Sequence, residues 1–275
     1  MELPVVLPVK PNEDAVKIEI HEHLPQAPSL VLIFGSVRSG KSNYVSNMIL
    51  NPSFMRGKLD KIVLISPSAR NDDSMRFVIE DENVELLEEY DDEWLKALLE
   101  YQRETPVEER QRLMLIADDA LHYIKRVGKG SGLSYLATRY RHSWIFYYVI
   151  VAQAYKVLDP KIRTNAGAII VMKLPNLKTL RDMDEELGGF LNNQFMKLYV
   201  YCIFDQPFSF MYIDMKQNPP KVYLRHETPI FQGSWLIPEP SVDMNSILRA
   251  EGETNANQHK PPVQQDDKEK ETEKK

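Results

Sequence analysis

Five unbroken apolar runs organise the chain: LVLIFG at 30–35, KIVLIS at 61–66, RLMLIAD at 112–118, WIFYYVIVAQ at 144–153 and GAIIVMK at 167–173. None alternates between apolar and polar positions, so each predicts a strand buried on both faces, as in a parallel sheet covered by helices. Between the runs the period changes to that of a helix. Tyr44, Val45, Met48 and Ile49 share one helical face, which Asn51 and Pro52 terminate. Asp91 and Asp92 are positioned to cap a second helix, whose inward side carries Trp94, Leu95, Leu98, Leu99 and Tyr101. A third helix starts near Asn176, brings Leu177, Leu180, Met183 and Leu187 to one side, and is expected to stop at Gly188. Beyond residue 198, the runs YCIFD, FSFMYID and KVYLR predict edge or antiparallel strands that close the sheet. The expected class is α/β, with a mainly parallel central sheet flanked by helices and C-terminal antiparallel edge strands.

The two ends differ from this body. Residues 1–14 contain three prolines and predict an extended lead-in. From about residue 236 the apolar period fades, and HKPPVQQDDKEKETEKK has nothing to bury, so the tail 236–275 is expected to be disordered. One folded domain is therefore expected over 15–235. Hydrophobic residues at 43% and charged residues at 27% are an ordinary globular balance. The net charge of −6 excludes a generally cationic surface, so any contact with a polyanion has to be local. Cys202 is the single cysteine, which rules out an internal disulfide and suits a reducing compartment. The opening MELPVVLPVKPNED lacks the basic and apolar pattern of a secretory signal. The most apolar stretch, at 144–154, falls short of the ~20 residues that cross a bilayer. A soluble intracellular protein without a transmembrane segment is expected.

Candidate chemistry begins where the first strand ends. Gly35, Ser36, Val37, Arg38, Ser39, Gly40, Lys41 and Ser42 satisfy the phosphate-loop pattern G-x4-G-K-[ST]. The glycines let successive N–H groups turn inward around phosphate oxygens, and the following helix adds its N-terminal partial charge. Lys41 would reach the β and γ phosphates, and the Ser42 hydroxyl would bind Mg²⁺. Arg38 receives no role from the residues alone. The run RLMLIADD puts Asp118 and Asp119 at a strand's carboxyl end, where α/β sheets bind ligands. Asp118 is the candidate to hold Mg²⁺, and Asp119 the candidate to polarise the attacking water. The bland alternative is that the pair caps the next helix. Gln153 ends a third strand, where its amide could bond both a γ-phosphate and the lytic water, although such a residue is commonly just solvated.

Arg141 and His142 precede that strand, and Ile162-Arg163-Thr164-Asn165 follows it. In this combination the stretch 28–190 resembles the DNA-packaging ATPases of nucleocytoplasmic large DNA viruses, of the poxvirus type, and their relatives in virophages and internal-membrane viruses. These belong to the FtsK–HerA superfamily of DNA-pumping motors. The resemblance implies a RecA-like P-loop NTPase of the additional-strand type, with the Gln153 strand inserted between the strands of the phosphate loop and of Asp118. It implies ATP and Mg²⁺, and it brings Gln153 to the γ-phosphate. The usual Asp-Glu pair is here Asp118-Asp119, as in the viral branch. It further implies a homo-oligomeric ring, usually hexameric, in which a neighbour supplies an arginine; Arg163 is the first candidate and Arg141 the second. Double-stranded DNA would be the sequence-independent partner, with capsid-vertex or internal membrane proteins as docking partners, in the virion or a virus factory of the host cytoplasm. Because the chain is acidic, Lys125, Arg126 and Lys129 in IKRVGKGSG are the candidate DNA grip, the alternative being a solvated loop. The expected activity is ATP hydrolysis driving viral DNA into preformed capsids. A P-loop kinase acting on a nucleoside or other small molecule, and a nucleotide-dependent scaffold, are the rival readings.

Overall fold

Each of the five apolar runs forms a strand, in a computed structural model that describes residues 18–119, 132–174 and 176–241. In chain order the strands are β1 Ser29–Phe34, β2 Lys61–Ile65, β3 Val84–Leu87, β4 Leu113–Ala117, β5 Ile145–Ala152, β6 Ala168–Val171, β7 Met211–Asp214, β8 Lys221–Leu224 and β9 Thr228–Gln232. They make one sheet in the order β3-β2-β4-β5-β1-β6-β7-β8-β9. Neighbours from β3 to β6 are parallel, and β7 to β9 add antiparallel strands on the far side of β6. The expected α/β class, with its inserted strand and antiparallel edge, is borne out. Through Pro240 the described residues belong to one compact unit.

The centre of the sheet explains the lack of alternation in the sequence. All eight residues of β5 are buried, because helices and loops cover both faces. Its two consecutive tyrosines show the two-sidedness: the Tyr147 hydroxyl donates to the Pro25 carbonyl at 2.9 Å, and that of Tyr148 to the Leu133 carbonyl at 3.0 Å. Neither buried hydroxyl is left unpaired, which would cost ~1–3 kcal/mol. Register then aligns the strand ends. Phe34 faces Ala152, and Ala117 faces Ile150, so β1, β5 and β4 all leave the sheet at one edge.

Helix α1, Lys41–Leu50, buries Tyr44, Val45, Met48 and Ile49 as its period predicts, and Asn51 caps its end. Helix α2, Arg76–Ile79, is a single turn before β3. Asp91 caps α3, Asp92–Glu104, by accepting from the Glu93 N–H at 3.0 Å. The inward face of α3 is narrower than expected: Leu95 is buried, Trp94, Leu98 and Leu99 are half-buried, and Tyr101 is exposed. The reason is its support, which is helix α4, Gly132–Arg139, and the turn after it, with no broad area of sheet beneath.

Further along the chain, short helix α5 is Pro160–Thr164, α6 is Leu177–Leu187 and α7 is Phe195–Ile203. Asn176 caps α6 by accepting from the Thr179 N–H. The helix does stop at Gly188, its C-cap, as expected, though not through a left-handed turn. The glycine's φ of −56° continues into a tighter turn through Leu191, and the reversal falls on Asn192 at φ 52°. The run YCIFD is not a strand either: Tyr201 to Ile203 close α7, in which Phe195, Leu198, Tyr199, Cys202 and Ile203 are buried at helical spacing. Among the described residues no helix is long and apolar enough to cross a membrane.

His226, between β8 and β9, ties this edge to α1. Its Nδ1–H donates to the His23 carbonyl at 2.8 Å, and its Nε2 accepts from the Tyr44 hydroxyl at 2.7 Å. The ring lies among those of Tyr44, Phe54, Phe210 and Tyr212. Burial, and to a lesser degree the neighbouring His23 and His21, push its pKa down to about 4. The unfolded chain therefore takes up this proton first, and stability is lost as pH falls from about 6.5 towards 4. The loss is at most ~3 kcal/mol. Urea unfolding of the wild type and of His226→Gln at pH 7.5 and 4.5 checks this: the wild type is expected to lose more stability than the variant over that interval. Equal losses would assign the titration elsewhere.

Candidate functional site

The edge where β1, β4 and β5 end is built around residues 35–42. Gly35 donates its N–H to the Ala152 carbonyl on β5 at 3.3 Å, and Ser36 donates to the Lys173 carbonyl beyond β6 at 2.8 Å, so the loop is pinned to both neighbouring strands. A Cβ at Gly35 would collide with the Ser39 hydroxyl and come within 3.0 Å of the Met172 Cβ. Left-handed backbone at Arg38 (φ 62°) and Gly40 (φ 100°) turns the chain into α1. Lys41 donates from Nζ to the Ser36 carbonyl at 2.7 Å. Burial lowers its pKa, and the facing charges of Asp118 and Asp119 oppose that shift.

Across the cleft, Asp118 donates its N–H to the Ile65 carbonyl on β2 at 2.9 Å and accepts from the Ser66 hydroxyl at 3.4 Å. It is 7% exposed. Burial first, and then the adjacent Asp119 charge, raise its pKa to about 6 against the pull of Lys41. Asp119 is exposed, takes the left-handed region at φ 50°, and accepts from the Ser68 hydroxyl at 3.1 Å. Gln153 follows β5 directly and is exposed towards the same space. Lys41, Ser42, Asp118, Asp119 and Gln153 thus line one cleft of about 800 Å³.

One residue of the cleft escaped the sequence reading. Asp72, in the loop after β2, lines the cleft and is hydrogen-bonded by the Ser42 hydroxyl. Burial alone would raise its pKa, but hydrogen bonds from Ser74 and Ser42 outweigh it and hold the carboxylate below its ordinary range. Its local signal, NDDS beyond a strand, is that of an ordinary capping turn, and Asp72 does accept from the Ser74 N–H at 2.9 Å.

The two arginines are not brought to the cleft. Arg163 is 8% exposed at its side chain, ion-paired to both carboxylate oxygens of Glu186 at 2.7 and 3.0 Å, and lies over the Tyr155 ring. Arg141 is exposed and precedes β5, whereas Gln153 follows it. Those eight residues separate the two ends by ~26 Å at about 3.3 Å each. His142, beside Arg141, is exposed as well. Lys125, Arg126 and Lys129 lie outside the described residues.

An oxygen-donor set of this kind suits Mg²⁺. The candidate donors are the Ser42 hydroxyl and the Asp118 carboxylate, in a cleft whose lining sets the four carboxylates of Asp72, Asp73, Asp118 and Asp119 against Lys41 and Arg38. Among the described residues no cluster of three or more His, Cys, Asp or Glu could hold a metal by itself.

No family model matches the chain, and no curated protein does. Solved structures do match. The DNA-packaging ATPase B204 from Sulfolobus Turreted Icosahedral Virus superimposes with a TM-score of 0.53 at 17% identity, over 71% of this chain and 97% of that one. The genome packaging NTPase B204 of Sulfolobus turreted icosahedral virus 2 in complex with ATP-gammaS gives 0.52 at 18% identity, over 71% and 96%. Its complex with AMPPCP gives 0.52 at 17%, over 71% and 97%. This chain has the fold of B204. The likeness to DNA-pumping ATPases read from residues 28–190 is borne out at the level of fold. Because B204 is matched over nearly its whole length, the likeness extends well beyond the phosphate loop.

Proposed function

We propose that the protein is an ATP-hydrolysing genome-packaging motor, which drives double-stranded viral DNA into preformed capsids. The observation that carries this reading is the meeting of Lys41, Asp118 and Gln153 at one sheet edge, made possible by the insertion of β5 between β1 and β4. A plain strand-turn-helix corner has no need of that insertion. The fold shared with B204, whose complexes hold ATP-gammaS and AMPPCP, supports the same reading.

In this reading Lys41 gives up its bond to the Ser36 carbonyl and donates to the β and γ phosphates. Ser42 and Asp118 hold Mg²⁺, which when bound neutralises charge on the phosphate oxygens. To serve as a ligand, Ser42 would have to release Asp72. Asp119, exposed at the mouth, polarises the attacking water, and the Gln153 amide orients it against the γ-phosphate. Charge developing on that phosphate calls for an arginine, worth 10³–10⁵-fold in related phosphoryl transfers. Arg141 is the better candidate of the two, because Arg163 is occupied by Glu186. Lying ~26 Å from its own cleft, Arg141 can serve only a neighbour's site, which fits a homo-oligomeric ring of six. Lys125, Arg126 and Lys129 would grip DNA phosphates, with the capsid vertex or an internal membrane as the docking place, in the virion or virus factory.

The test is hydrolysis of ATP without DNA, with single strands and with duplex. Strong stimulation by duplex is expected, lost at high salt and lost when Lys125, Arg126 and Lys129 are all replaced by glutamine, with basal hydrolysis unchanged. Phosphate transfer to a small acceptor, or indifference to duplex, would overturn the motor.

A further inference from the structure

Beside the phosphate loop stands an aromatic ring that the proposed chemistry leaves unused. Phe208 is 72% exposed, in the loop between α7 and β7. It adopts the left-handed region at φ 61°, which is strained for an aromatic residue. Its neighbours hold it there. Ser209 is 3% exposed and donates its N–H to the Gln206 carbonyl at 3.1 Å, and the Phe210 ring packs edge-on against that of Tyr44, with centroids 5.2 Å apart. The loop is thus anchored on both sides of a ring that faces solvent. A hydrophobic side chain gains nothing from such a position in the free protein.

The ring's position gives the exposure a use. A methyl group built on Gly40, the residue that caps α1, would lie 3.5 Å from the Phe208 ring. Phe208 lines the phosphate cleft and also a second hollow of about 150 Å³, which Asn43 of α1 shares. A nucleotide with its phosphates in the loop carries its base on the ribose, beyond the α-phosphate, and the base has to lie along the wall beside the start of α1. We propose that Phe208 is the stacking platform for the nucleobase, and that Asn43 presents its carboxamide to the base edge. This rests on the reading of the cleft as a triphosphate site and adds the base to it. Stacking is tolerant of base identity but strengthens with ring area, so purine nucleotides are the favoured class.

Calorimetric titration with ATP and with inorganic tripolyphosphate, both with Mg²⁺, tests the platform in the full chain. Phe208→Ala is expected to weaken ATP binding by roughly 5- to 150-fold and to leave tripolyphosphate unchanged. Phe208→Tyr should restore ATP affinity, which also shows that the loop tolerates substitution. Unchanged ATP affinity in Phe208→Ala overturns the proposal. So does equal weakening of both ligands, which would mean that the ring only shapes the loop through Gly40. Lys41→Ala should weaken both ligands; if it weakened neither, the triphosphate reading itself would fall, and the platform with it.

Discussion

Lys41→Ala is expected to reduce ATP hydrolysis by roughly 100- to 1000-fold, the usual cost of removing one preorganised donor from a developing oxyanion. The argument rests on how Lys41 is held. Its ammonium is half-buried, and its described hydrogen bond goes to a carbonyl of its own loop. Burial disfavours its charge more than Asp118 and Asp119 favour it, so in the empty site that charge does not help to hold the fold. A triphosphate changes that balance by bringing several negative oxygens within reach. The variant should therefore fold and melt as the wild type does, yet lose both affinity and turnover. Steady-state hydrolysis together with thermal unfolding checks both halves. Undiminished hydrolysis would locate the chemistry elsewhere, and a collapse in stability would make Lys41 a structural residue.

Asp118→Asn carries the second large effect, and the expectation is a variant that is inactive yet more stable. In the folded chain the Asp118 carboxyl titrates at about 6, against an ordinary 3.8, because it is buried beside Asp119. The unfolded chain is ionised from about pH 4 upward, so above that pH folding has to force the charge into a poor environment. By pH 7.5 this costs on the order of 3 kcal/mol. An asparagine has the same shape, can still accept from Ser66, and has no charge to bury. Without nucleotide, the variant is expected to unfold at higher urea than the wild type at pH 7.5, the difference vanishing near pH 4. Turnover should fall by roughly 100-fold or more, since the carboxylate that would hold Mg²⁺ is gone. Retained turnover would remove Asp118 from the metal site. A less stable variant would mean that its charge is compensated in the fold.

The gain in stability on neutralising Asp118 would also say what that residue is for. A buried carboxylate that repels its neighbour is tolerated when a cation is to come and meet it. Asp72 and Asp73 bring the carboxylates lining the cleft to four, against the two cations Lys41 and Arg38. The lining is therefore left with an excess of negative charge, which a bound cation would offset.

Much of this was legible without coordinates, because it depends on near neighbours along the chain. An unbroken apolar run such as that of β5 has to be covered on both faces wherever it lies. The phosphate loop declares itself through glycines that permit left-handed turns and a lysine at fixed spacing. Asn176 and Asp91 cap the helices that follow them for equally local reasons. Where two periods compete within a few residues, the local signal failed: Tyr201 to Ile203 fit a strand and a helix alike, and burial of Leu198 and Cys202 on one face of α7 decided for the helix. Edge strand β3 carried no signal, since its four half-buried residues lack a continuous apolar run.

The functional geometry was decided by the order of strands. Asp72 meets Ser42, Arg163 meets Glu186, and Phe208 stands over Gly40 only because β2, β5 and β7 take particular places around β1. Each partner is distant in sequence and unremarkable alone. Their energies come from burial and mutual charge, which depend on three-dimensional proximity. The chain's own pattern thus determined a parallel sheet with a phosphate loop at its edge. Tertiary structure decided which carboxylates share that edge, which arginine is occupied, and which aromatic ring is held out beside it.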